Sequence, residues 1–132
     1  MRDSEVSAVK VRSIYRSRVV VAEGDEPLAD AATRMRENQV GALVVMDGER
    51  LAGILTERDL TRAIAEGADA ETVTVAGYMT EWPTVVSLDM DVHQAVLAML
   101  ELECRHLPVV EDDRVVGMVS IRDLLGSAIR VA

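Results

Sequence analysis

Six polar residues, in two sets of three, carry the chemistry that this sequence offers. Thr56, Arg58 and Asp59 lie in "GILTERDL" (53–60), and Ser120, Arg122 and Asp123 lie in "GMVSIRDL" (117–124). Each string runs apolar and then turns polar, the pattern of a strand that ends where a helix begins. A helix N-terminus presents free N–H groups and the positive end of the helix dipole, which suits phosphate. An arginine in that first turn is disfavoured by the dipole and calls for an anionic partner. The neighbouring carboxylate is placed to accept two hydrogen bonds from ribose hydroxyls, as the acidic residue of dinucleotide sites does. Hydroxyl and guanidinium for phosphate, carboxylate for sugar: that set suits a nucleotide. A plainer reading stays open beside it. Thr56-x-x-Asp59 and Ser120-x-x-Asp123 also match capping boxes, in which the hydroxyl caps the helix and the acid three residues on caps back.

The two strings belong to a longer repeat. Sliding the chain by 64 residues superposes Val21 on Val85, Asp25 on Asp89, Ala31 on Ala95, Met35 on Met99 and Glu37 on Glu101. It also superposes Leu43 on Leu107, Val45 on Val109, Arg50 on Arg114, Gly53 on Gly117, Arg58 on Arg122, Asp59 on Asp123 and Leu60 on Leu124. Those are twelve identities across residues 21–60 without a gap, and Val9 and Val11 extend the register to Val73 and Val75. A fixed period of this kind marks a duplicated structural unit.

Each copy predicts the same run of elements. "RVVVA" (18–22) and "PTVVS" (83–87) read as short strands, with Asp25 and Asp89 as helix N-caps. Leu28, Ala31, Ala32 and Met35, and likewise Val92, Ala95, Val96 and Met99, repeat at helical spacing and predict one apolar helix face each. "ALVVM" and "LPVVE" are strands, "DGER" and "EDDR" turns, and "LAGIL" and "VVGMV" the returning strands. A second helix starts at Thr56 or Ser120. It carries Leu60, Ala63 and Ile64 in one copy and Leu124, Ala128 and Ile129 in the other.

The expected fold is therefore α/β (α+β), two tandem β-α-β-β-α repeats packed about a pseudo-two-fold axis. Residues 1–8 are expected as a flexible N-terminus, 9–66 as the first repeat, 67–72 as a linker and 73–132 as the second repeat. A unit of about 60 residues buries only about 60% of its extended-chain surface and is marginal alone, so two units sharing a face solve that together. A seam between such units is a usual place for a small ligand.

Composition excludes several classes. The chain has 132 residues and a net charge of −9, which argues against nonspecific nucleic-acid binding. Tyr15, Tyr78 and Trp82 are the only aromatics, too few for a base-stacking platform. No apolar run approaches a membrane span, and "MRDSEVSAVKV" lacks the apolar core of a signal peptide. Cys104 is the single cysteine, which points to a reducing compartment and a cytoplasmic location. Cys104, His106 and His93 fall short of the four ligands zinc normally takes, so no metal is expected. No nucleophile–base pair is recognisable, and no catalytic residue is expected.

On these residues the chain resembles the CBS (cystathionine-β-synthase) domain pair, or Bateman module, of the stand-alone bacterial type. The resemblance rests on "GILTERD" and "GMVSIRD", on "VGALVVMDGERLAG" (40–53) and "CRHLPVVEDDRVVG" (104–117), and on "YMTEWPTVVSLD" (78–89). It covers roughly residues 9 to 130. It implies two equivalent clefts and, commonly, a homodimer. One cleft would use Ser120, Arg122 and Asp123, with Arg105 near phosphate, and Arg18, Glu23, Val40, Gly41 and Ala42 as its other wall. The second would use Thr56, Arg58, Asp59, Trp82, Ser87, Cys104, Arg105 and His106. The first has the smaller base wall and is the favoured nucleotide site, unless Trp82 stacks on a base in the second.

The implied ligands are AMP, ADP or ATP, with S-adenosylmethionine or NAD(H) as further adenosyl candidates. No cofactor is required and no nucleic acid or membrane partner is expected. The function expected is adenine-nucleotide sensing of energy or redox state. Its output passes through ligand-dependent packing and an unidentified protein partner. The alternative is a structural dimerisation module with empty clefts. Leu124, Leu125, Ile129 and Val131 leave the last helix apolar on more than one side, which suggests self-association.

Overall fold

The computed structural model describes residues 9–131, with side chains described up to residue 126. The expected flexible segment 1–8 lies outside the described residues. The chain divides into two compact units, one formed by Val19–Pro83 and the other by the described residues up to Arg18 together with those from Thr84 onward.

In the unit of residues 19–83, β1 (Val21–Glu23) leads to α1 (Leu28–Asn38), the hairpin β2 (Ala42–Asp47) and β3 (Arg50–Thr56), α2 (Glu57–Ala65) and the short β4 (Thr80–Glu81). The sheet order is β1-β2-β3-β4, with β1 parallel to β2 and the other pairs antiparallel. Leu28, Ala31 and Met35 of α1 are buried together with Leu43, Val45 and Leu55 of the sheet, the face that the helical spacing predicts.

The other unit carries α3 (Val92–Leu102), the hairpin β5 (His106–Glu111) and β6 (Arg114–Ser120), and α4 (Ile121–Val131). Its core is nearly the first one moved by 64 residues: Val92, Ala95 and Met99 of α3 against Leu107, Val109 and Val119, closed by Leu124. Leu124 is thus core rather than part of an exposed apolar strip. Leu125 is exposed, and the side chains of Ile129 and Val131 lie outside the described residues.

The packing units are offset from the sequence repeats. Val11, in a 3₁₀ turn of residues 11–13, is fully buried in the core that contains α3. Its repeat counterpart Val75, in a 3₁₀ turn of residues 75–77, is fully buried in the core that contains α1. The two segments dock by equivalent bonds. Val92 N–H donates to the Val9 carbonyl at 2.9 Å, and Leu28 N–H donates to the Val73 carbonyl at 2.9 Å. Arg16 bridges to Met118 as Thr80 pairs with Ile54. This approach explains why glycine recurs at 53 and 117. A Cβ on Gly53 would lie 2.7 Å from the Thr80 carbonyl oxygen, and one on Gly117 would run into the Arg16 carbonyl and the Tyr15 ring.

Three expectations are corrected. Residues 83–87 do not form a strand; only Val86 bridges, to Val109. In the first sheet Val44 N–H donates to the Val20 carbonyl at 3.0 Å. The counterpart of Val44 is Pro108, which has no N–H, so the ladder shrinks to the bonds around Val86. The first strand runs over Val21–Glu23 rather than 18–22. Asp25 and Asp89 are not the helix caps, since the N-cap positions are Pro27 and Asp91. Main-chain acceptors replace a side-chain cap on α1: Leu28 and Ala29 donate to the carbonyls of Val73 and Ala70. On α3, Gln94 Oε1 accepts from Asp91 N–H at 3.1 Å, and Asp89 is engaged with Arg12.

Candidate functional site

Each unit contains one strand-to-helix corner built from the recurring triad. In the unit of residues 19–83, β3 delivers Thr56 in extended conformation at the N-cap of α2. Asp59 N–H donates to Thr56 Oγ1 at 3.4 Å. Asp59 Oδ2 accepts from Thr56 N–H at 2.9 Å and from the Thr56 hydroxyl at 3.1 Å. The capping box is therefore real. Arg62, one turn along α2, brings Nη2 to 3.6 Å from Asp59 Oδ1. Pairing of β2 with β3 sets Ala42 opposite Thr56, and Glu57 N–H donates to the Gly41 carbonyl at 3.0 Å. Val40, Gly41 and Ala42 thus lie beside the Thr56–Asp59 corner of their own unit. Arg58 is exposed in the first turn of α2.

Trp82 lies elsewhere in that unit. It follows β4, whose Glu81 pairs with Gly53, and so runs towards the hairpin end of β3 rather than towards Thr56. The residue is 78% exposed, its φ is +51°, and the Arg50 guanidinium stands 5.8 Å from the ring centroid. Glu23 is exposed on β1, with its N–H on Glu26 Oε2 at 3.0 Å.

The second corner has the same plan with one added partner. Asp123 N–H donates to Ser120 Oγ at 3.1 Å at the start of α4. His106 pairs with Ser120, and Ile121 N–H donates to the Arg105 carbonyl at 2.8 Å, so Arg105 and His106 belong to this corner. Cys104 precedes them, half-buried, with its N–H on the Met99 carbonyl at 3.0 Å. Arg122 is exposed; Ser87 is half-buried and accepts from Met90 N–H through its carbonyl at 3.2 Å. Arg18 is exposed and belongs to the same packing unit as Ser120.

The added partner is Arg16, which the sequence reading does not single out. Its Nη2 donates to Asp123 Oδ1 at 3.0 Å and its Nε to Oδ2 at 3.2 Å, a two-pronged grip on the carboxylate. No repeat signal marks it, because its counterpart 64 residues on is Thr80. Burial by itself would push the Asp123 carboxyl up. The hydrogen bonds from Arg16 and Ser120 and the charge of Arg16 outweigh it and hold the group below the usual carboxylate range. The same contact raises Arg16, which burial only weakly opposes.

Both carboxylates remain at the surface, with 13% of the Asp59 side chain and 12% of the Asp123 side chain exposed. They are shielded by their own caps but not sealed. Among the described residues, no cluster of three or more His, Cys, Asp or Glu side chains is placed to hold a metal, and no helix is long and apolar enough to cross a membrane.

The fold matches known proteins. The CBS domain family model matches residues 11–66 and again 75–129, and the chain belongs to that family. An uncharacterised 17.7 kDa protein of Acidianus ambivalens is 40% identical over 119 residues, 89% of this chain and 71% of that protein. The mitochondrial CBS domain-containing protein CBSX3 of Arabidopsis thaliana is 31% identical, across 98% of this chain and 69% of its own length. The crystal structure of a CBS-domain-containing protein from Agrobacterium tumefaciens superposes with a TM-score of 0.85 at 30% identity, covering 91% of this chain and 93% of that one. A CBS domain pair solved with 5′-methylthioadenosine and S-adenosyl-L-methionine has the same fold, with a TM-score of 0.84 at 24% identity over 91% of this chain and 95% of that one.

Proposed function

We propose that this chain is a regulatory CBS pair that binds an adenine nucleotide and has no catalytic activity. The observation that carries the reading is the twice-built corner, Thr56-x-Arg58-Asp59 and Ser120-x-Arg122-Asp123. Each carboxylate there is fixed beside its helix start and stays partly exposed, Asp59 over 13% and Asp123 over 12% of its side chain. A held carboxylate receives a sugar diol at little ordering cost, and the adjacent helix start favours phosphate. Ser120, Arg122 and Asp123, with Arg105, form the binding set at one corner, and Thr56, Arg58 and Asp59 form it at the other. AMP, ADP and ATP are the ligands of choice, with S-adenosylmethionine or NAD(H) as further adenosyl candidates. The ligand acts by favouring one packing state of a homodimer in the cytoplasm, which a protein partner reads. Such a shift requires that the ligand bind the two states with different affinity.

A second reading has its own support. The complete capping box of Thr56 and Asp59 accounts for those residues without any ligand, and a dimerisation module with unoccupied corners needs no more. Thermal unfolding separates the two. A nucleotide present at about 100 times its dissociation constant stabilises by about 2.7 kcal/mol. The sensing reading expects that rise with at least one adenine nucleotide, its reduction in Asp123→Ala and its loss when Asp59→Ala is added. No rise with any adenosyl compound refutes it. An Asp123→Ala chain that is folded but still shows the full rise removes Asp123 from the site.

A further inference from the structure

Arg16 stands outside the repeated pattern, yet it makes the tightest side-chain grip on either corner. Its Nε and Nη2 take both oxygens of Asp123 at 3.2 and 3.0 Å, the edge that a pair of sugar hydroxyls would address. Among the described residues Asp59 carries no such fork. The residue equivalent to Arg16 is Thr80, and the cation nearest in charge contact is Arg62 of its own helix at 3.6 Å. The Arg16 side chain is 70% exposed, so its head can leave the carboxylate for solvent without unpacking a core.

We infer that Arg16 sets the ligand selectivity of the Asp123 corner, disfavouring uncharged nucleosides and admitting those that bring a phosphate. The inference rests on the reading of Asp123 as the sugar-binding carboxylate. A nucleoside that reaches Asp123 exchanges a charge-assisted fork for two hydroxyl donors and leaves the guanidinium to water. A nucleotide makes the same exchange and then returns an anion to the displaced guanidinium, whose planar fork matches phosphate as it matched carboxylate. The ion pair therefore opposes the neutral ligand and is replaced by an equivalent one with the charged ligand. Because the cation is so exposed, the opposition is a few-fold and leaves the corner accessible. The Asp59 corner, with Thr80 in the matching place, has no such filter.

The test is isothermal titration of the full chain at low salt with adenosine and with AMP, in the wild type and in Arg16→Gln, Arg16→Lys and Asp123→Asn. Arg16→Gln is expected to bind adenosine about two- to fivefold tighter, because its competitor is gone. It is expected to bind AMP about tenfold weaker, because the phosphate loses a charged partner. Arg16→Lys keeps the charge without the fork, and is expected to gain on adenosine while holding most of its AMP affinity. An unchanged AMP-to-adenosine ratio in Arg16→Gln overturns the inference while leaving the sugar-binding reading intact, provided Asp123→Asn weakens both ligands. AMP binding indifferent to Asp123→Asn, or no binding of either ligand, overturns the sugar-binding reading and this inference with it. Should Arg16→Gln fail to fold, Arg16→Lys decides: an unchanged adenosine affinity there refutes the competition.

Discussion

Truncating Val11 to alanine weakens the packing unit that contains the second repeat, although Val11 stands at the start of the first. Val11 is completely buried among Val86, Val92, Ala95, Met99, Leu107, Val109, Val119 and Leu124. Val11→Ala removes about two methyl groups' worth of transfer free energy, close to 1.6 kcal/mol at about 0.8 kcal/mol each. The cavity left behind adds to that, so the total is about 2 to 3 kcal/mol. A local loss of about 2 kcal/mol speeds amide exchange about thirtyfold where that unit opens. The assay is hydrogen exchange read by mass spectrometry, comparing peptides from β5 and β6 with peptides from β2 and β3. Faster exchange is expected in β5 and β6, with β2 and β3 unaltered. Val75→Ala, at the matching position in the other core, is expected to give the mirror result. Loss confined to β2 and β3 in Val11→Ala, or equal loss in both hairpins, refutes the reasoning.

Three further outcomes follow from the geometry. Gly53→Ala forces a methyl against the Thr80 carbonyl at 2.7 Å and the Met79 sulfur at 2.8 Å. It is expected to destabilise by about 1 to 3 kcal/mol in chemical denaturation. Gly48→Ala is the comparison: nothing stands near its added methyl, and the φ of +64° alone costs about 1 to 2 kcal/mol, so a larger loss at 48 than at 53 would count against the close-approach explanation. Pro108→Val restores an N–H where Val44 has one. The amide of residue 108 is expected to be protected from exchange, while net stability changes by less than about 1 kcal/mol because the added bond and the freed unfolded chain offset each other.

Acidification gives the last of the three. Asp123 is held below its ordinary value by Arg16 and Ser120 against the effect of burial, so its contribution is complete above the unfolded carboxyl pKa near 3.8 and fades as pH falls through the lower folded value. The acid limb of the stability curve is expected to flatten in Arg16→Gln, and an unaltered limb would show that the pair contributes nothing.

The repeat made much of this legible in advance. Leu43 and Leu107, Val45 and Val109, and Met35 and Met99 recur because they fill the same places in two similar cores. The capping role of Thr56 and Asp59 was equally readable, since it depends on residues three apart. What a period cannot reveal is destination. Val11 and Val75 match in register, but matching establishes that they are equivalent, not which core each one enters. The helix starts misled for a related reason. Asp25 and Asp89 have the right chemistry for caps, yet the carbonyls of Val73 and Val9, remote in sequence, reach the first N–H groups of α1 and α3. The missing strand at 83–87 could have been read from Pro108 alone, because one absent N–H on the central strand removes a rung from its neighbour.

Duplication first produces two like corners, and single substitutions then make them different. Thr56 and Ser120 perform the same capping step, and Asp59 and Asp123 keep nearly the same exposed fraction. The departure comes from the docked segments, where evenly matched backbones place Arg16 beside one carboxylate and Thr80 at the corresponding point of the other unit. A residue contributed by such a segment changes the charge at one corner without touching the β-α-β-β-α body that builds it. On the proposed reading selectivity is separable from folding: the caps fix where the carboxylates stand, and the docked arm fixes what they would give up to a ligand. If that division holds, placing arginine at position 80 should impose on Asp59 the preference inferred for Asp123. Thr80→Arg would then raise the AMP-to-adenosine affinity ratio at the Asp59 corner in an Asp123→Asn background. An unchanged ratio in a folded Thr80→Arg chain would mean that the two corners differ in more than the arm.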